Sequence, residues 1–133
     1  MKKIALLCSL IGVLYSCKND DNNTETPNTD LIGNWRLIET LIDPGDGSGT
    51  FTAVESDKII TFHEDGKITS NGSLCDVSIE TNTPTSGTYS KTDATFNSKD
   101  CHNGDHTYNF KHEGLTLIVE FPCFEPCKEK YTK

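Results

Sequence analysis

The chain, 133 residues long, predicts an all-β domain: an up-and-down antiparallel barrel of about eight strands, set behind a leader and a polar tether. Three observations carry that expectation. No segment after Asp30 keeps apolar residues at helical spacing. Short runs rich in β-branched and aromatic residues recur between Gly, Asn, Asp and Pro clusters, the pattern of a sandwich or barrel. Across residues 115–121, Leu115, Leu117, Val119 and Phe121 alternate with Thr116, Ile118 and Glu120, as a sheet with one buried face requires.

Taken in order, residues 31–42 read as the first strand, with Trp35, Leu37 and Leu41 on one face and Arg36, Ile38 and Thr40 on the other. Glu39 shares the parity of Trp35 and Leu37, so an unbroken register turns its carboxylate into the barrel. A bulge or strand end at that point would return it to solvent. The Gly-rich loop 43–49 follows and is expected to lie over the barrel mouth. Asp43, Asp46 and Ser48 within it do not meet the EF-hand spacing of oxygen ligands. Nor does the loop carry the Gly-x4-Gly-Lys-Ser/Thr cradle for phosphate.

A strand near 51–54 precedes two more, 58–62 and 67–71. These flank His63-Glu-Asp-Gly66, where the Asp-Gly pair suits a hairpin turn needing positive φ. Residues 87–90 and a short stretch at 95–97 supply further strands. The best hairpin joins 106–111 to 115–121 through His112-Glu-Gly114, and 127–132 reads as the closing strand. Eight antiparallel strands close on themselves and so remove exposed edges. No internal repeat is visible.

The candidate interior comprises Trp35, Leu37, Glu39, Phe62, Tyr89, Tyr108, Leu117, Val119 and Phe121. Trp35, the only tryptophan, is expected to plug the closed end of the barrel, since large aromatics dominate small cores by area. These residues would line a ligand cavity, because small-molecule pockets are mostly apolar with a few polar groups. The same set would also fill a solid barrel.

Six cysteines are present. Cys8 belongs to the leader and Cys17 to its end, which leaves Cys75, Cys101, Cys123 and Cys127. Four cysteines outside the cytoplasm read as two disulfides, with three pairings open. Cys75–Cys101 with Cys123–Cys127 is the favoured set, because the second bridge would clamp the short Phe-Glu-Pro turn. The rival is a zinc cluster drawing on His102 and His106. Turn histidines are usually solvated, and no metal or cofactor is expected.

Charge and motif narrow the function further. Loss of Lys2 and Lys3 with the leader leaves 10 basic against 20 acidic residues, so the exported chain carries about −10. Such a surface repels phosphates, and no basic patch offers a nucleic-acid site. Gly47-Ser48-Gly49 does not complete a nucleophile elbow, and no thiol is left free to act as a nucleophile. An enzyme is not expected.

At the front, Lys2 and Lys3 precede an apolar run over 4–15, too short for the ~20 residues of a membrane-spanning helix. Its length and charged start fit a secretory signal peptide. The run ends in Leu14-Tyr15-Ser16-Cys17, which resembles the lipobox of bacterial lipoproteins. That resemblance implies cleavage before Cys17, diacylglycerol on its sulfur and, usually, a third, palmitate-like chain on the new amino group. Two or three chains anchor stably where one does not. Residues 18–30 have no apolar side chain to join a core and should stay disordered. As a flexible chain they would hold the domain on the order of 20 Å from the lipid. Lys18 after Cys17 resembles outer-membrane sorting, and Asp20-Asp21 resembles surface-export signals. The division is therefore 1–16 signal peptide, 17–30 lipidated cysteine and tether, and 31–133 barrel.

The barrel region itself is similar to the lipocalin-like domains of bacterial envelope lipoproteins. Leu31-Ile-Gly-Asn-Trp-Arg-Leu37 resembles their Gly-x-Trp opening strand. A Gly-rich loop, Ile-Thr-Phe62 with Asp-Gly66, Gly-Thr-Tyr89 and Leu-Thr-Leu117 then follow in the same order. Pro-Cys-Phe-Glu-Pro-Cys-Lys-Glu-Lys-Tyr131 resembles the closing segment of a cysteine-bearing subgroup. The resemblance implies a non-catalytic binding protein for a small apolar or amphipathic ligand, anchored in the outer membrane. The alternative is a filled barrel whose loops contact envelope proteins or glycans.

Overall fold

A computed structural model describes residues 30–102 and 106–133. The expected signal peptide, Cys17, the tether up to residue 29 and the centre of the His102–His106 loop lie outside the described residues. The strands are β1 (Gly33–Ile42), β2 (Thr52–Ala53), β3 (Ile59–Phe62), β4 (Lys67–Ser70), β5 (Thr85–Ser90), β6 (Thr95–Asn97), β7 (Thr107–Glu113), β8 (Thr116–Phe121) and β9 (Cys127–Thr132). Each pairs antiparallel with its neighbour in one sheet, and β9 returns to β1 to close the barrel.

The nine strands among the described residues make an eight-strand barrel because β2 and β3 share one position. Both lie on the same edge of β1: Arg36 pairs with Ile59, and Glu39 pairs with Ala53. Between them, residues 54–58 leave the ladder, tied to the β1 backbone by Val54 N–H to the Ile38 carbonyl and Leu37 N–H to the Lys58 carbonyl. That break matters, because it turns Lys58 into the interior, where its side chain is fully buried.

Antiparallel order sorts the connections to two ends. At one end lie the start of β1 and the turns at 63–66, 91–94 and 114–115. Gly66 carries a φ of 82° in the first of these, a conformation glycine reaches without a Cβ clash. At the other end lie the longer segments 43–51, 71–84 and 122–126 and the described residues 98–102. The first end is closed by Trp35, whose indole N–H donates to the Leu31 carbonyl at 2.8 Å.

Three expected side-chain directions are corrected, those of Glu39, Leu41 (which pairs with Lys128 and lies outside the core) and Leu115. Glu39 is not an interior residue. The β1–β9 register shifts between Leu37 and Glu39, so Leu37 pairs with Tyr131 but Glu39 pairs with Lys130. The extra residue, Ile38, reverses the parity, and Glu39 forms an ion pair with Lys130 at the barrel wall. Such a bulge moves every later side chain of the strand to the other face. Leu115 also leaves the core face. β7 runs on to Glu113, which pairs with Thr116, and Leu115 is left partly exposed in the two-residue turn with Gly114.

Candidate binding surfaces of the barrel

The interior is occupied by side chains. Trp35, Leu37, Phe62, Tyr108, Leu117, Val119 and Phe121 are all buried, together with Ile60, Ile68, Leu74, Phe96 and Phe110. Tyr89 is only partly buried, and its hydroxyl donates to the His63 carbonyl at 2.8 Å near the closed end. Aromatic rings fill the space between walls: Phe96 stacks on Tyr108 at 4.9 Å, and Phe62 meets Tyr89 and Phe110 edge-on at 4.9 and 5.2 Å. Pairs at such separations add attraction beyond the area they bury.

A buried ion pair stands inside this apolar shell. Lys58 Nζ donates to both carboxylate oxygens of Glu129, at 2.8 and 2.9 Å, and to the Ser78 carbonyl at 3.0 Å. Glu129 also accepts the Ser78 N–H at 2.9 Å and the Tyr131 hydroxyl. All three ammonium donors are thereby used. Burial pushes the Glu129 carboxyl up and the Lys58 amine down, each opposed by the attraction of the other. Burial, then the Glu129 charge, raises Tyr131 well above the ordinary phenol value. No buried side-chain polar atom among the described residues lacks a partner. The pair is satisfied by the protein alone.

The mouth above it is shut by residues 71–84. Leu74 inserts fully, and its N–H donates to the Thr85 hydroxyl at 2.9 Å. Cys75 and Cys101 are bridged, with Cα atoms 5.4 Å apart, which ties this segment to residues 98–102. Gly72 passes so close to Lys58 and to the Glu80 carbonyl that a Cβ there would stand 2.4 Å from that oxygen. The second bridge, Cys123–Cys127, spans the β8–β9 turn with Cα atoms 6.0 Å apart. All four domain cysteines are disulfide-bonded, so none supplies a thiolate for zinc. Among the described residues no group of three or more His, Cys, Asp or Glu is placed to hold a metal.

The clefts and exposed apolar side chains therefore lie outside the barrel interior. At the closed end, Leu31, Lys91, Ala94, Phe110, Lys111 and His112 enclose a cleft of about 300 Å³. Its floor is apolar, and two of the floor residues, Leu31 and Phe110, also belong to the core. Its rim carries Lys91, paired with Asp30 at 3.3 Å, and Lys111, paired with Glu113 at 2.8 Å. His112 stands edge-on to Trp35 at 5.2 Å, and its Nε2–H donates to the Gly114 carbonyl at 3.0 Å.

At the open end the contrast is sharp. Phe124 is fully exposed at the tip of the bridged turn, and Ile42, whose strand partner is Cys127, is 67% exposed. Neighbouring loop 43–49 is rigidified by Asp43, whose carboxylate accepts the N–H groups of Gly45, Gly47 and Gly49 at 2.8, 3.1 and 2.7 Å. Those amides hold the Asp43 carboxyl below its usual range, Gly49 and Gly45 contributing most.

Sequence reasoning did not find the Lys58–Glu129 pair or the closed-end cleft. A signal for Glu129 existed: it shares the inward parity of Cys127 and Tyr131 on β9. Nothing local marked Lys58, and the cleft draws on segments distant in sequence.

Among known protein families, the model of the lipocalin-like domain matches residues 31–119. No curated protein and no solved structure matches the chain.

Proposed function

The chain belongs to the lipocalin-like domain family, and from that premise we propose that it is a lipid-tethered binding domain of the bacterial envelope. Its ligand is a small amphipathic molecule, and it carries out no catalysis. The barrel is of a ligand-binding type, but its interior is taken up by aromatic side chains and by a self-satisfied ion pair beneath a disulfide-tied plug. The observation that carries the reading is therefore the closed-end cleft: its volume of about 300 Å³ and apolar floor meet the lower bound for small-molecule sites, roughly 300 Å³. Leu31, which lines it, follows directly on the expected tether, so the cleft faces the side from which Cys17 would anchor the chain. The lipobox-like Leu14-Tyr15-Ser16-Cys17 supports the anchor, and Lys18 supports the outer membrane.

Native mass spectrometry of residues 18–133, which include the whole closed barrel, tests the reading. A reproducible added mass that is lost on denaturation supports it. A bare chain, lighter by four hydrogens for two bridges, counts against it.

A second reading is favoured by one observation. Phe124 is presented bare on a covalently clamped turn beside Ile42, and rigid exposed aromatics are frequent anchors of protein contacts. In that reading the filled barrel is a scaffold, and its loop end meets another envelope component. Phe124→Ser would then abolish the contact without loss of thermal stability.

A further inference from the structure

Resting on the small-ligand reading, we propose that the closed-end cleft selects a compact anion bearing an apolar group, an aryl or branched-alkyl carboxylate or sulfonate. The site lies outside the barrel, at the end opposite the mouth, and so is separate from the interior lined by Leu117, Val119 and Phe121.

Two features of the cleft set the ligand chemistry. Its floor, formed by Leu31, Ala94 and Phe110, offers carbon surface continuous with the core. Its rim offers two ammonium groups, those of Lys91 and Lys111. The present partners of the two lining lysines are exposed carboxylates, Asp30 and Glu113. Exposed pairs of this kind contribute little, because water screens them and side-chain entropy opposes them. An incoming anion whose apolar part is already held on the floor can therefore displace them. On an exported chain with 10 basic and 20 acidic residues, about −10, these two lysines are what would favour an anion at the cleft. A neutral ligand of the same shape would form no ion pair at the rim, and a cationic one would have to take Asp30 and Glu113 from the two lysines that line the cleft.

A third feature is independent of the first two. Ala94 adopts a φ of 53°, the one described non-glycine residue at positive φ. An L side chain is strained there and glycine is not. The turn is fixed on both sides of it: the Ser90 hydroxyl bonds Asp93 at 2.6 Å, and the Ala94 carbonyl accepts the Phe110 N–H at 2.9 Å. A methyl group retained against such strain is accounted for by its place on the cleft floor. Strained residues of this kind gather at binding sites.

The test is a titration of 15N-labelled residues 18–133 with phenylacetate, followed by amide shifts, and repeated with phenethylamine. The expected result is saturable perturbation of Leu31, Lys91, Ala94, Phe110, Lys111 and His112 by the acid and none by the amine. Charge reversal in the Lys91→Glu/Lys111→Glu variant, both positions being exposed, should weaken phenylacetate about tenfold or more. Ala94→Gly should weaken it while leaving the spectrum otherwise folded. Saturable shifts at Ser78, Tyr108 and Phe121 that ignore both variants would overturn this site while leaving small-ligand binding standing. Equal binding of the amine would overturn the anionic selectivity. No saturable binding of either probe would overturn the proposal outright.

Discussion

Lys58 and Glu129, 71 residues apart in sequence, meet inside the barrel with Nζ 2.8 and 2.9 Å from the two carboxylate oxygens, and neither side chain has any exposed surface. A buried pair costs several kcal/mol per ion to desolvate, and its attraction offsets this only with good geometry and further hydrogen bonds. Ser78 and Tyr131 supply those bonds. The pair thus ties three elements together: the break before β3, the plug over the mouth and the closing strand.

Removing one partner should be far worse than removing both. Glu129→Gln leaves an ammonium buried against a neutral amide and should cost about 3–5 kcal/mol. Lys58→Met with Glu129→Leu should be near neutral, or stabilising by about 1–4 kcal/mol. Urea unfolding of the single and double variants measures both. Equal losses in the single and double variants would mean that the pair is not a coupled unit.

The two disulfides should differ in weight. Cys75–Cys101 closes a loop with a sequence separation of 26, and Cys123–Cys127 one of 4. By loop entropy the first should contribute roughly 3–4 kcal/mol and the second about 2. Cysteine-to-serine replacement of each pair, followed by guanidinium unfolding, checks the order. Thiol labelling of the unfolded, unreduced chain should find no free cysteine in the domain.

Asp43 gives the open-end loop an acid sensitivity. Its folded carboxyl titrates below the ordinary 3.8 because the N–H groups of Gly49, Gly45 and Gly47 stabilise the charged form. The contribution is therefore complete above pH 3.8 and is lost as pH falls through the folded value. Glu129, raised by burial, acts with the opposite sign between 4.5 and its folded value. Comparing the wild type with Asp43→Asn isolates the first effect: the stability difference should be largest near neutral pH and shrink below pH 4. A difference that does not change with pH would contradict it.

Acylation at Cys17 is tested by metabolic labelling with an alkyne-bearing palmitate. The chain should take up label and partition with the outer membrane, and Cys17→Ser should take up none. Label retained in the variant would place the lipid elsewhere.

The barrel was legible in the sequence because its signal is local. Alternation along 117–121 and the turn chemistry at Asp65-Gly66 each depend on a few adjacent residues, and β8 and the β3–β4 turn fall there. Legibility failed where one residue changed the parity. Ile38 is an ordinary strand residue by composition, yet as the bulge it sends Glu39 outward to Lys130. It failed again where the partner was remote. A lysine and a glutamate in β-prone segments read as solvent-facing, and only the assembled barrel brings Lys58, Ser78 and Glu129 together. The plug over 71–84 carries no strand pattern, so its inserted Leu74 looked like part of a loop. The cleft needed Leu31, Ala94 and Phe110 from three separate stretches.

The central claim is that the barrel is shut and recognition lies on its outside, and hydrogen exchange at the Ser78 amide tests it most directly. That N–H belongs to the plug and donates inward to Glu129, so any opening of the mouth frees it. A shut mouth predicts exchange of Ser78 only through global unfolding, with a protection free energy within ~1 kcal/mol of that at Leu117. Exchange of Ser78 at roughly a thousand times the Leu117 rate, insensitive to dilute denaturant, would reveal a plug that opens on its own and return the ligand site to the interior.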